Sequence, residues 1–389
     1  MFKDFSARDH STKPSSELPR IAALTSIRGI AAWWIAVYHF REYLPLRADN
    51  VLLIAASRGF YAVDLFFIMS GFVIYLNYAQ LFQVPNRISL RKFAVARFAR
   101  IYPLHLFMLM LFAANPIALA WFSHLGLTPA QLAGRYNPLD YVLSLVLIQN
   151  WGFRDHLTWN IPAWSISTEF AAYLIFPLAA YLTLRWLRSA TAAFVAAAAA
   201  WAALSIVFWG AGATSLGDDV ARLGLPRCVF EFFIGMMLCC IFRRRGPATA
   251  GGQIGLLSGA AAIAIVSLAA GVPDYLGIPA AFTLLVIGLA AARGPITTLL
   301  ALRPLVFLGE ISYATYLSHF FIKDWLKFLL AGHDLPAWLL FGLFLAITLL
   351  ASVALYTWIE LPWRRRLRGR ARLASPAPAM AADLSRVTQ

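Results

Sequence analysis

The chain has 389 residues, of which 61% are hydrophobic and only 13% charged, and its mean hydropathy is +0.69. A soluble domain of this size cannot hide so much apolar surface in one core, which excludes a water-soluble enzyme, a disordered chain and a disulfide scaffold. The net charge of +15 then reads as basic residues in cytoplasmic loops beside anionic head groups, not as a nucleic-acid surface.

In chain order, ten segments are apolar enough and long enough to cross a bilayer, which takes about 20 residues. They are 21–43, 59–82, 101–122, 163–184, 190–210, 223–242, 251–271, 275–292, 305–331 and 337–360. The stretch 138–151 is shorter and ends in Gln149-Asn150-Trp151-Gly152, so it is expected to be re-entrant or interfacial. No small-residue cleavage site follows the long first span, so no cleavable signal peptide is expected. With the N-terminus in the cytoplasm, 23 Lys and Arg fall in inner loops and tails and five in outer loops. The expected fold is therefore all-α: a polytopic membrane helical bundle of about ten transmembrane helices with both termini inside. A single membrane domain is expected over 19–366, with disordered cytoplasmic ends at 1–18 and 367–389. The three cysteines form no metal-ligand pattern or disulfide framework, and no metal is expected.

Ionisable groups inside spans are costly and usually mark function. Arg28 and His39 lie eleven residues apart on the first span. At about 100° per residue they share one face, and they are separated by ~16 Å along the axis. A cation near the inner side can hold an anionic donor. A base near the outer side can act on an acceptor hydroxyl. The bland alternative is a snorkelling arginine and an interfacial histidine. Asp64 follows on the second span, in a run of small and aromatic residues that ends Ser70-Gly71-Phe72. Arg97 and Arg100 share a face and suit phosphate forks, although such a pair also serves as a topology signal. Ser165, Glu169 and Tyr173 are spaced four apart and make one polar stripe. Ser312, Tyr316, His319 and Lys323 line one face of the ninth span, where a water- or ligand-filled cavity is the natural partner. Glu310 lies nearer the inner end of that span.

Together these runs resemble the acyltransferase-3 family of integral-membrane O-acyltransferases. The resemblance rests on Arg28-x10-His39, Val63-Asp64-Leu65-Phe66-Phe67 with Ser70-Gly71-Phe72, and Arg97-x-x-Arg100-Ile-Tyr-Pro. It continues with Trp164-Ser165 and Glu169, Gly309-Glu310-Ile-Ser-Tyr313 with Tyr316-Leu317 and His319, and Glu360-x-Pro362. These motifs stand in the family's order over about 20–365. The closest flavour is the stand-alone glycan O-acetyltransferase, without the C-terminal soluble esterase-like domain of some relatives. The resemblance implies an acyl group, acetyl being favoured, taken from cytoplasmic acyl-coenzyme A and passed to a hydroxyl of a cell-surface or lipid-linked glycan. It places the protein in the bacterial inner membrane. It implies catalytic roles for His39 and Glu310, and coenzyme A contacts for Arg28, Arg97 and Arg100. Acyl-coenzyme A is then a donor substrate, and no permanently bound cofactor is expected.

The residues add that an imidazole can take the proton of an attacking alcohol and that Asp64 or Glu169 is the candidate to orient it. Ser165, Tyr173, Tyr313, Tyr316 and His319 are the candidate cavity lining. Covalent acylation of His39 is a variant of the same chemistry. A glycolipid transporter or flippase is the alternative reading. Acceptors from exopolysaccharide, O-antigen and capsule to an oligosaccharide signal or a small natural product stay compatible, and nothing in the sequence sets an oligomeric state.

Overall fold

Long apolar runs with polar caps fold as helices here, because a backbone in lipid must satisfy its own hydrogen bonds. Asn86, Asn137, Ser189 and Thr249 each accept a backbone N–H of the following first turn with a side-chain oxygen. The computed structural model describes residues 22–124, 135–246, 248–290, 294–330 and 335–373, and among them there is no strand. The helices are α1 (Ala22–Phe40), α2 (Val51–Ser57), α3 (Ala62–Tyr78), α4 (Arg87–Phe112), α5 (Ala114–His124), α6 (Pro138–Leu145), α7 (Trp164–Trp186) and α8 (Ala190–Gly210). They continue with α9 (Val220–Arg245), α10 (Ala250–Ala269), α11 (Asp274–Ala290), α12 (Pro295–Leu300), α13 (Arg303–Glu310), α14 (Ser312–Leu329), α15 (Ala337–Leu355) and α16 (Leu361–Leu373). The expected N-terminal tail 1–18 and residues 374–389 of the C-terminal tail lie outside the described residues.

The chain is an integral membrane protein. Among the described residues seven helices are long and apolar enough to cross a membrane, or eight if α13 and α14 count as one bent span. Ten were expected. The two others are helical but fall outside that set for physical reasons. Helix α1 carries Arg28 and His39 within 19 residues, and α11 has only 17 residues. The expected span 305–331 is broken: α13 and α14 meet at 63°. The short stretch after residue 138 gives the eight-residue α6 and then a tight turn with Leu147 at φ 60. Its Gln149 and Asn150 side chains end buried, where the Asn150 amide donates to the Val220 carbonyl at 3.1 Å.

Two close crossings bring the site helices together. At the crossing of α3 and α9, a Cβ on Gly71 would sit 1.9 Å from the Phe232 carbonyl oxygen, and one on Gly235 would sit 1.9 Å from that of Ile68. Small residues here let two backbones touch, which is how helices pack where lipid offers no hydrophobic drive. Gly71→Val is expected to block assembly, read as loss of the monodisperse detergent-solubilised peak with little full-length protein recovered. At the second crossing Gly29 of α1 faces the backbone of Leu308 and Gly309 on α13. That contact sets the start of α14 beside Arg28.

Candidate active site

Helices α1, α3, α4, α7 and α14 enclose a cavity of ≈ 150 Å³. Arg28 enters from α1, Ser70 from α3, and Arg97 and Arg100 from α4. Helix α7 contributes Ser165, Glu169 and Tyr173, and the first turns of α14 contribute Ser312, Tyr313 and Tyr316. Eight of the residues expected from the sequence thus meet in one place: Arg28, Arg97, Arg100, Ser165, Glu169, Tyr173, Tyr313 and Tyr316.

One end of this cavity is cationic. Arg28 donates to the Ser312 hydroxyl at 3.2 Å. Arg97 donates to the Tyr78 hydroxyl at 2.8 Å and lies over the Tyr78 ring at 4.6 Å. Arg100 donates to the buried Glu360 carboxylate, which Arg364 also approaches at 3.3 Å. A π-helical turn over Tyr356–Glu360 joins α15 to α16 and carries Glu360. Such an insertion re-aims a side chain within an otherwise regular helix. Tyr313 lies beside Arg100 at 5.5 Å and donates to the Ile101 carbonyl at 2.6 Å. Arg100 and Arg364 thus share the Glu360 carboxylate, while Arg28, Arg97 and Arg100 line the cavity with Glu169. The bend before Ser312 adds a helix N-terminus to the cavity wall, whose partial positive charge has the same sign. Planar guanidinium forks suit phosphate oxygens, so this end fits a polyanionic ligand.

The other wall is polar but not cationic. Ser70 donates to the Glu169 carboxylate. The Tyr316 hydroxyl is pinned by Ser165 Oγ at 2.7 Å and the Pro162 carbonyl at 2.8 Å. One turn further along α14, the His319 ring lies 5.9 Å from the Tyr316 ring, centroid to centroid. His319 Nε2 meets His39 Nδ1 at 3.1 Å. Neither histidine lines the cavity, so Tyr316 stands between it and the pair. His39 is half-buried, edge-on to Phe320 at 5.2 Å. Lys323 lies over the Phe320 ring at 3.6 Å and 3.5 Å from Asp324, which pairs with Arg135 at 3.1 Å.

Two expected residues sit elsewhere. Asp64 does not approach His39: both its oxygens accept from Arg227, Nε and Nη2, at 2.6 Å each. That pair is buried, with Arg227 2% and Asp64 0% exposed, and Arg227 also donates to the Leu216 carbonyl at 2.7 Å. Among the described residues, neither carboxylate expected to orient His39 is hydrogen-bonded to it: Asp64 pairs with Arg227, and Glu169 accepts from Ser70. His39 Nδ1 lies 3.1 Å from the Ile35 carbonyl oxygen and 3.1 Å from His319 Nε2. Glu310 closes α13 half-buried and does not line the cavity. Ser70 and Glu360 were not singled out as site residues. Each partner lies far away in sequence, Glu169 for Ser70 and Arg100 for Glu360, and no local spacing announces such pairs.

Residues 21–357 match the Acyl_transf_3 family, described as an acyltransferase domain. The chain belongs to the acyltransferase-3 family. "Acyltransferase MdmB" of Streptomyces mycarofaciens is 28% identical to this acyltransferase-3 protein over 94% of this chain and 96% of its own length. "Peptidoglycan O-acetyltransferase OatA" of Listeria monocytogenes is 25% identical over 72% of this chain, and the match spans 49% of that protein. "Protein 2 in picA locus" of Rhizobium radiobacter is 37% identical over 26% of this chain and 48% of its length. No solved structure matches the chain. As an acyltransferase-3 protein, the chain is a membrane acyltransferase.

Proposed function

We propose that the protein is an O-acyltransferase, with acetyl the favoured group, that moves an acyl chain from cytoplasmic acyl-coenzyme A to a hydroxyl of a cell-surface or lipid-linked glycan. Both termini face the cytoplasm and the membrane is the bacterial inner membrane. The observation that carries this reading is the polar column from Arg28, Arg97 and Arg100 through Tyr316 to His319 and His39. The arginine end suits the phosphates of coenzyme A. The imidazole end suits proton removal from an alcohol. Glu169, Tyr173, Ser165 and Tyr313 line the same cavity as the arginines, which would take the acyl arm. The resemblance to a protein named for peptidoglycan O-acetylation supports a glycan acceptor.

In the transfer, the hydroxyl proton passes to His39 as the oxygen attacks the thioester carbon. The carbon–sulfur bond breaks, and the thiolate leaves with that proton. Membranes bearing the protein, supplied with acetyl-coenzyme A and the glycan fraction of the producing cells, are expected to release free thiol only when both are present. Thiol release without glycan dependence, or movement of unmodified glycolipid with no thiol, overturns the reading.

Arg28→Gln tests the donor end. Losing one charge-assisted contact costs about 1.5–3 kcal/mol, or roughly 10–100-fold in KM for acetyl-coenzyme A. Acetyl-pantetheine, which lacks the nucleotide phosphates, should show little change. Equal losses on both donors would remove Arg28 from the phosphate site.

A further inference from the structure

The two histidines carry information about where a proton sits, and this bears on the base assigned above. Each ring faces the carbonyl one turn back on its own helix. His39 Nδ1 is 3.1 Å from the Ile35 carbonyl oxygen, and His319 Nδ1 is 3.2 Å from that of Thr315. A carbonyl oxygen only accepts, so each Nδ1 carries the hydrogen. His319 Nε2 then holds a lone pair, and it points at His39 Nδ1 from 3.1 Å. His39 Nδ1–H is shared between two acceptors, the Ile35 carbonyl and His319 Nε2. The opposite assignment fails twice: an Nε2–H on His319 would set the lone pair of its Nδ1 against the Thr315 carbonyl, and that of His39 Nδ1 against the Ile35 carbonyl. A doubly protonated His319 satisfies Thr315 but still opposes Ile35, and it places a full charge on a side chain that is 0% exposed.

We infer that His319 is a positioning residue that fixes His39 in the tautomer protonated at Nδ1, leaving Nε2 as the atom that takes the acceptor hydroxyl proton. The inference rests on the reading of His39 as the base. His319 does not touch the reacting atoms. Its Nε2 lone pair holds the ring at one end, and it steadies the imidazolium formed when Nε2 gains its proton, since Nδ1–H then donates to two acceptors at once. A carboxylate is not needed for this, and among the described residues none of the hydrogen bonds to His39 comes from one.

The test combines turnover with a spectroscopic readout. The protein has seven histidines, so the His39 ring is assigned in 15N-histidine solid-state NMR by difference from His39→Ala. The expected wild-type signal is a protonated Nδ1 and a bare Nε2. His319→Gln keeps an oxygen acceptor near the Nε2 position and should retain turnover within a few-fold and the same tautomer. His319→Leu should mix the two tautomers and lose roughly 10–100-fold in kcat, within the range of general acid–base catalysis, with KM for acetyl-coenzyme A little changed.

A wild-type His39 protonated at Nε2 overturns the inference even if His319→Leu fails to fold. So does a His319→Leu protein with unaltered tautomer and turnover. His39→Ala active alongside an active His319→Leu overturns the base reading itself, whereas His39→Ala dead beside an active His319→Leu overturns only the positioning role.

Discussion

His39→Ala is expected to stop acyl transfer while leaving the protein folded. The measurement is thiol release from acetyl-coenzyme A in the presence of glycan, normalised to protein recovered in the monodisperse detergent peak. A positioned base contributes roughly 10²–10⁴-fold, so activity should fall by at least that lower factor. The fold should tolerate the change. His39 is only half-buried, its ring contacts are with Tyr38, Phe320 and His319, and the α1 crossing rests on Gly29 rather than on the imidazole. Removing the ring leaves the His319 Nε2 lone pair without its donor, a local cost at one atom. A recovered, well-folded His39→Ala protein with turnover near that of the wild type would discard the imidazole as the base. Incubation with radiolabelled acetyl-coenzyme A alone separates direct transfer from a covalent variant: label retained on wild-type protein after denaturation, and absent from His39→Ala, would favour an acyl-histidine.

Arg227→Met is expected to have the largest effect on stability. The guanidinium makes a two-pronged contact with Asp64 and a third bond to the Leu216 carbonyl, all out of contact with solvent. Buried Glu231 lies one turn along α9 from Arg227. Removing the arginine strands the Asp64 charge in a low-dielectric interior, a loss of about 3–5 kcal/mol for a broken buried pair. Thermal unfolding in detergent should drop sharply, and the paired change Asp64→Leu with Arg227→Met should recover part of the loss, because the Asp64 charge then goes with its partner while buried Glu231 stays. The comparison also decides what Asp64 does. If the folded double variant turns over glycan at an ordinary rate, Asp64 is a structural anchor between α3 and α9. If it folds well and is inactive, Asp64 has a part in the chemistry that its ion pair conceals.

Much of this arrangement was legible in the sequence wherever it depends on local spacing. Arg28 and His39 share a helix face because eleven residues nearly complete three turns. Ser312, Tyr316, His319 and Lys323 were read as one face for the same reason, and the structure runs them from the cavity past Tyr316 to the histidine pair and Phe320. What the sequence hid is pairing between helices. Asp64 and Arg227 are 163 residues apart, and both are merely charges in apolar runs until α3 and α9 cross. Asp64 and Glu169 were both candidates to orient His39, yet a carboxylate's place in its span does not fix the direction in which the helix faces. The break at Ile311 was also hidden, since the residues on either side are apolar enough to read as one continuous span. Helix α1 shows the converse. The groups that make it interesting also make it polar, so length and hydropathy rank it below helices that only face lipid.

The position of Tyr316 has a consequence for the cell as a whole. A hydrophilic file open from the arginines to His39 would offer water and protons a route between compartments, and an energised membrane cannot tolerate a standing short circuit. The tyrosine hydroxyl, tied to Ser165 and the Pro162 carbonyl, plugs that file midway with a fully bonded group that has no loose proton to hand on. The bundle therefore keeps its insulating value across the level of Tyr316.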